Sequence, residues 1–203
     1  AYSDLAISGP ASLNVTDKGR VYVIYGGATG IPATSLTSAN AIGTGENIQD
    51  SFGAGLNAGD LNGDGVSDLV VGAYGFSATN NTGKAYIYYG NNPSGIPANM
   101  TVNPGSPGTT ITGTNSGAFF TTNMAVADVD NNGYADLMVG AYGCTANPSG
   151  CTYLFYGQAT PIVSGLASTA SLTFTGQTTG DNFGRAIGTA DANGDGYLDL
   201  LVG

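Results

Sequence analysis

Three stretches decide how this chain is read: DLNGDGVSD at Asp60–Asp68, DVDNNGYAD at Asp128–Asp136 and DANGDGYLD at Asp191–Asp199. Each has a side-chain oxygen at positions one, three, five and nine, and a Gly at position six. Carboxylate, amide and carbonyl oxygens at this spacing are the donor set of a hard cation. Calcium takes six to eight such oxygens at about 2.3–2.6 Å. The expected ligands are Asp60, Asn62, Asp64, the Val66 carbonyl and Asp68 in the first loop. The second would use Asp128, Asp130, Asn132, the Tyr134 carbonyl and Asp136. The third would use Asp191, Asn193, Asp195, the Tyr197 carbonyl and Asp199. About three calcium sites are therefore expected. Gly65, Gly133 and Gly196 stand where such a loop bends sharply, a conformation that only Gly adopts without a Cβ penalty.

Two other readings compete. Asp-Asn-Gly clusters also form plain solvated turns, but one template repeated three times argues against that. An EF-hand loop opens in the same way, yet it needs a Glu at position twelve and flanking helices. Position twelve is Val71, Val139 and Val202, and the following segments DLVVGAY, DLMVGAY and DLLVG have no helical period. The EF-hand is excluded.

The loops mark a longer repeat. Aligned on position nine, Asp4, Asp68, Asp136 and Asp199 are 64, 68 and 63 residues apart. After each comes an apolar strand (LAIS, LVVGAY, LMVGAY, LLVG), then a polar hairpin. An aromatic strand follows in three of them: VYVIYG from Val21, AYIYYG from Ala85, TYLFYG from Thr152. A variable Gly/Pro/Ser/Asn linker leads to a weaker strand: SLTSANAIG from Ser35, TTITG from Thr109, SLTFTG from Ser171. A Gly/Phe element precedes each acidic loop. Four strands per 60–70 residues, in tandem, is the layout of β-propeller blades. A β-helix coil is shorter, and a sandwich needs no repeated metal loop. The expected fold is all-β, with blades of four antiparallel strands. The approximate repeats are 1–46 and 181–203, both partial, with 47–114 and 115–180 between them. The chain of 203 residues is expected to be a piece of a longer polypeptide or to be completed by blades of other copies.

Composition agrees. Only 9% of residues are charged, 34 are Gly, and the net charge is −10. Nine of the fourteen acidic residues lie in the three loops, so the acidity is concentrated rather than spread as a coat. Three divalent ions would bring the charge to about −4. Four Lys plus Arg make no basic patch, so nucleic acid is not an expected partner. No stretch is apolar enough to span a membrane. Cys144 and Cys151, seven positions apart, read as a disulfide across a hairpin loop, with two free thiols as the alternative. A disulfide beside calcium sites implies an oxidising, extracellular compartment. Asn14, Asn80 and Asn99 open glycosylation sequons in expected loops.

The chemistry of an enzyme is thin. There is no His, and no nucleophile elbow appears. Asp50 and Asp181 stand at equivalent places before Phe-Gly elements and read as turn caps rather than a catalytic pair. Arg20 and Arg185 read as surface-pairing charges. The Tyr columns (Tyr22, Tyr86, Tyr153; Tyr25, Tyr89, Tyr156) read as packing between blades.

The sequence resembles the FG-GAP repeat of integrin α-subunit propellers. Phe52-Gly53 with Val71-Gly72-Ala73, and Phe183-Gly184 with Val202-Gly203, carry the resemblance. In the middle repeat Val139-Gly140-Ala141 matches, while Phe119-Phe120 stands in place of Phe-Gly. The resemblance covers essentially the whole chain. It implies a radial propeller with calcium between the first and second strands of each blade, acting as an extracellular adhesion or binding module for a protein or glycan. The alternatives are a subunit of an extracellular fibre or surface layer, or the non-catalytic propeller of a larger secreted hydrolase.

Overall fold

A computed structural model describes residues 2–10, 16–32, 35–77, 80–91, 94–98, 100, 108–144 and 149–203. Among these the chain is all-β, apart from two single 3₁₀ turns. The strands group by sequence into four sheets. The first holds β1 (Leu5–Gly9), β2 (Arg20–Ile24) and β3 (Ala41–Thr44). The second holds β4 (Gly55–Gly59), β5 (Asp68–Ala73), β6 (Lys84–Tyr88) and β7 (Thr109–Thr112), all antiparallel. The third holds β8 (Met124–Ala127), β9 (Asp136–Ala141), β10 (Cys151–Phe155) and β12 (Leu172–Thr175), again antiparallel. The fourth pairs β13 (Ile187–Ala190) with β14 (Asp199–Val202). This up-and-down order is that of propeller blades, complete in the second and third sheets and partial in the first and fourth. The inner strands β4, β8 and β13 contact one another in turn, as blades around one axis require.

Two details depart from what the sequence leads one to expect. In the first sheet the segment from Ser35 opens as a 3₁₀ turn, Leu36–Ser38, with Ser35 accepting from Thr37 N–H. The strand starts only at Ala41, since Ser-rich segments favour local side-chain-to-backbone bonds over a ladder. The second sheet also gains a fifth strand. Gly165–Leu166 (β11), from the linker of the third repeat, pairs parallel to β7.

The apolar runs follow from burial on both faces. In β5, Leu69 and Val71 face the first sheet, packed with Val21, Val23 and Tyr86. Val70 faces the third sheet, packed with Leu137, Val139 and Phe155. Strands sandwiched in this way read as continuous apolar sequence rather than alternation. Five of the six column tyrosines are packing, as expected: Tyr86 and Tyr153 are buried, and Tyr25, Tyr89 and Tyr156 pack half-buried against the cores, while Tyr22 is half-buried outside them.

The Phe of each Phe-Gly element forms the seam. Phe52 meets Tyr86 edge to face at 5.3 Å, and Phe120 meets Tyr153 the same way at 5.7 Å. A Cβ at Gly19, Gly83 or Gly150 of the preceding blade would collide with the carbonyl oxygen of Phe52, Phe120 or Phe183 respectively. This register corrects the middle repeat. Phe120-Thr121, one residue later than the sequence suggests, stands where the others have Phe-Gly. Gly53 and Gly184 have φ of 91° and 88°, and Thr121 is forced to 76°. Its buried hydroxyl has no hydrogen-bond partner among the described residues.

In the third sheet a disulfide joins Cys144 to Cys151, with Cα atoms 5.7 Å apart. In the second, the same two hairpin positions are Phe76 and Lys84, and Lys84 Nζ lies 4.4 Å from the Phe76 ring centre. Phe76 N–H donates to the Ala73 carbonyl and Cys144 N–H to the Ala141 carbonyl, each at 3.0 Å. One backbone turn is therefore fastened in two ways.

Thr121→Gly should raise stability by about 1 kcal/mol, since relief of a positive-φ β-branched residue and an orphaned hydroxyl outweighs a lost methyl contact. A urea melt with unchanged slope and a higher midpoint checks it. Reduction of the disulfide should lower stability by about 2–3 kcal/mol, the closure entropy of a short loop, read as a lower melting temperature in reductant.

Candidate metal centre

Each acidic loop joins the first and second strands of its blade: β4 to β5, β8 to β9, and β13 to β14. All three fold alike because their side chains cap their own backbone. The position-one carboxylate accepts from the N–H of the position-six glycine: Gly65 to Asp60 at 2.8 Å, Gly133 to Asp128 at 2.8 Å, Gly196 to Asp191 at 2.9 Å. The position-three oxygen accepts from the N–H at position five: Asp64 to Asn62, Asn132 to Asp130, Asp195 to Asn193. The position-five oxygen accepts from position seven: Val66 to Asp64, Tyr134 to Asn132, Tyr197 to Asp195. These are nested Asx turns. The glycines at six take φ of 83°, 90° and 88°, as their place in the bend demands.

Position nine serves differently. Asp68 is fully buried. Its Oδ1 accepts from Gly90 N–H and its Oδ2 from Leu61 N–H, each at 2.9 Å. One carboxylate therefore ties the end of β6 and the start of the loop to the start of β5. Asp136 repeats this with Gly157 at 2.8 Å and Val129 at 2.9 Å. Asp4 makes the same bond to Gly26 at 2.9 Å, and Asp199 accepts from Ala192 at 2.9 Å. Spacing alone marks these residues only as ligands. The signal for the second role is the glycine ending each aromatic strand, 21 or 22 residues after the aspartate.

The second loop brings three carboxylates together. Ligand oxygens of Asp128, Asp130 and Asp136 all lie within 4.8 Å of one another. Among the described residues the one ion pair is Lys84 with Glu46, so no basic side chain neutralises this group. A carboxylate oxygen that accepts one N–H keeps a further lone pair. An all-oxygen, uncompensated cluster fits a hard divalent cation and suits neither zinc nor copper. The first and third loops also hold three aspartates each, at positions one, five and nine with an amide, Asn62 or Asn193, at position three, but among the described residues only the second loop brings its carboxylates together in this way. The third loop is exposed from Asp191 to Leu198.

Burial pushes the Asp68 carboxyl up to about 6; bonds from Gly90 and Leu61 oppose the shift, and the charges of Asp64 and Asp60 add to it. Asp136 is raised, again chiefly by burial. Asp191, exposed and held by backbone N–H donors led by Gly196, is lowered.

The other residues that the sequence singles out take structural places. Asp50 accepts from Asn47, and Asp181 from Thr178 N–H at 2.7 Å, so both cap turns. Arg185 lies 5.5 Å from the Tyr142 ring centre rather than in an ion pair. Tyr142 in turn stacks on Phe119 at 5.0 Å. Asn80 is exposed; Asn14 and Asn99 lie outside the described residues. No helix among the described residues is long and apolar enough to cross a membrane.

Comparison with known proteins places this geometry. Residues 52–88, 120–149 and 183–203 match the FG-GAP repeat, the middle match beginning at Phe120 as the seam does. The chain carries FG-GAP repeats and is homologous to integrin alpha subunits. The phosphatidylinositol-glycan-specific phospholipase D of Rattus norvegicus is 34% identical over 148 residues, 70% of this chain and 17% of that protein. Its Homo sapiens counterpart is 31% identical over 157 residues, 75% of this chain and 18% of that protein. Integrin alpha-5 of Xenopus laevis is 29% identical over 194 residues, 89% of this chain and 17% of that protein. The chain thus spans under a fifth of the length of these relatives.

In calcium-free buffer the folded chain should lose stability as pH rises. A carboxyl whose folded pKa lies above its ordinary value of 3.8 favours the folded state below that value, and this advantage disappears as pH passes about 6. The melting temperature without calcium should fall between pH 4 and 7, and added calcium should suppress the fall by favouring the ionised forms.

Proposed function

We propose that the three loops each hold calcium, and that the ions serve as structural corners of an extracellular propeller whose blade loops bind a protein or glycan. The observation that carries this is the uncompensated Asp128, Asp130 and Asp136 cluster at a strand junction. Without a cation the like charges repel and loosen the corner. With it, binding free energy becomes folding free energy. The ligands would be the residues expected from sequence, with Asp68, Asp136 and Asp199 also fixing the strands. The disulfide supports an oxidising, extracellular setting. The homology to integrin alpha subunits supports a recognition role. Further blades, from the rest of a longer chain or from other copies, would complete the ring.

A second reading follows from the similarity to phosphatidylinositol-glycan-specific phospholipase D: the non-catalytic propeller of a larger secreted hydrolase. Both readings give this chain no catalytic residue of its own. The acidic side chains are committed to loops, caps and the Glu46–Lys84 ion pair, and the chain has no His.

Calcium should raise the melting temperature and a chelator lower it again. A shift of about 5 °C or more is expected, about 2 kcal/mol for a domain of this size. Asp128→Asn with Asp130→Asn should remove part of the gain. An unchanged melting temperature in excess chelator would refute structural calcium.

A further inference from the structure

A backbone bond ties the first acidic loop to the second, and among the described residues the second and third lack such a tie. Ala135 N–H, at position eight of the second loop, donates to the carbonyl oxygen of Asp60, position one of the first, at 2.8 Å. The same peptide unit carries the Tyr134 carbonyl, the position-seven donor expected for the second ion. In a planar trans peptide the carbonyl and the N–H point in opposite directions. One rigid unit would therefore face an ion with its oxygen and hold the neighbouring loop with its hydrogen. Polarising the carbonyl strengthens the N–H as a donor. The Tyr134 ring lies against Gly63, at position four of the first loop, where any Cβ would run into it. Gln158 N–H, just past β10 of the same sheet and outside the second loop, also donates to the Leu61 carbonyl of the first loop at 3.1 Å.

The next pair of loops is built differently. Position four of the second loop is Asn131, whose φ of 58° is left-handed like that of Gly63 at 73° but which carries a side chain where Gly63 leaves room for the ring. Among the described residues no backbone bond joins Leu198 to Asp128.

We propose that the first two loops bind cations as a coupled pair through the Tyr134–Ala135 peptide and the Tyr134–Gly63 contact, while the third binds alone. This rests on the calcium reading above. Ordering the second loop fixes the Asp60 carbonyl and the ring over Gly63, so each ion lowers the ordering needed by the other. Tyr134 and Gly63 are positioning residues, and linkage makes the effect reciprocal.

Calcium titrations by calorimetry on the 203-residue chain test it. With the third loop disabled (Asp191→Asn with Asp195→Asn), the first two should fill with positive cooperativity, each raising the other's affinity about fivefold or more. With the first disabled instead (Asp60→Asn with Asp64→Asn), the remaining two should fill independently. Gly63→Asn, which gives the first loop the residue the second has at Asn131, should abolish cooperativity while leaving two ions bound. Asn tolerates a left-handed backbone, and a melt in calcium confirms that this variant folds. Tyr134→Ala provides a second removal that adds no atoms. Independent filling of the first two loops, or cooperativity that survives both variants, overturns the coupling and leaves the calcium reading standing. Absence of any binding by the unmutated chain overturns both.

Discussion

A buried carboxylate that accepts two backbone N–H groups is the interaction on which each complete blade turns. Asp68 holds Leu61 and Gly90, and Asp136 holds Val129 and Gly157. Each ties together the chain ends of three neighbouring strands at one edge of the sheet. A buried carboxylate without such partners would cost several kcal/mol; with them it fixes where the first strand stops, where the second starts and where the third ends. The acidic loop is then the only slack between two fixed points. Its nested turns remove that slack, and in the second loop three carboxylates converge. The clamping aspartate is also the ninth residue of its acidic loop, and the clamp explains why position nine is Asp in every repeat while position three varies between Asp and Asn.

The blades are variations on this frame. Their apolar strands are buried on both faces, so the sheets depend on one another for their cores. Val70 belongs to one interface and Val71 to the other. The seam between sheets depends on an edge-to-face aromatic pair and a glycine passing close beneath a carbonyl. In the middle repeat Thr121 takes the strained conformation that Gly takes elsewhere, so the seam keeps its geometry and the local chain carries the strain.

Much of this is legible in the sequence because its devices repeat. The Asp-x-Asx-x-Asx-Gly spacing identifies the loops, the apolar and aromatic runs identify the second and third strands, and the Cys pair identifies the hairpin tie. Other features depend on three-dimensional contact and leave only faint marks. Ser35–Asn40 reads as a strand because it aligns with strands in other repeats, but its serines bond locally. Phe119 reads as the repeated aromatic because two Phe residues adjoin, and only the glycine beneath Phe120 fixes the register. The parallel strand Gly165–Leu166 borrows its partner from another blade, which no local pattern encodes. The clamp made by Asp68 and Asp136 is hidden because the spacing that predicts a ligand and the buried clamp call for the same side chain.

The hairpins of the second and third blades are fastened at matching positions, one by Lys84 over Phe76 and one by a covalent bridge between Cys144 and Cys151. These fastenings answer to different surroundings. A cation held over a ring beside Glu46 weakens with ionic strength, whereas a sulfur bridge ignores salt and yields to thiols. Neighbouring units built on one plan therefore respond to separate chemical signals, and brine and reductant would each loosen a different part of the same molecule.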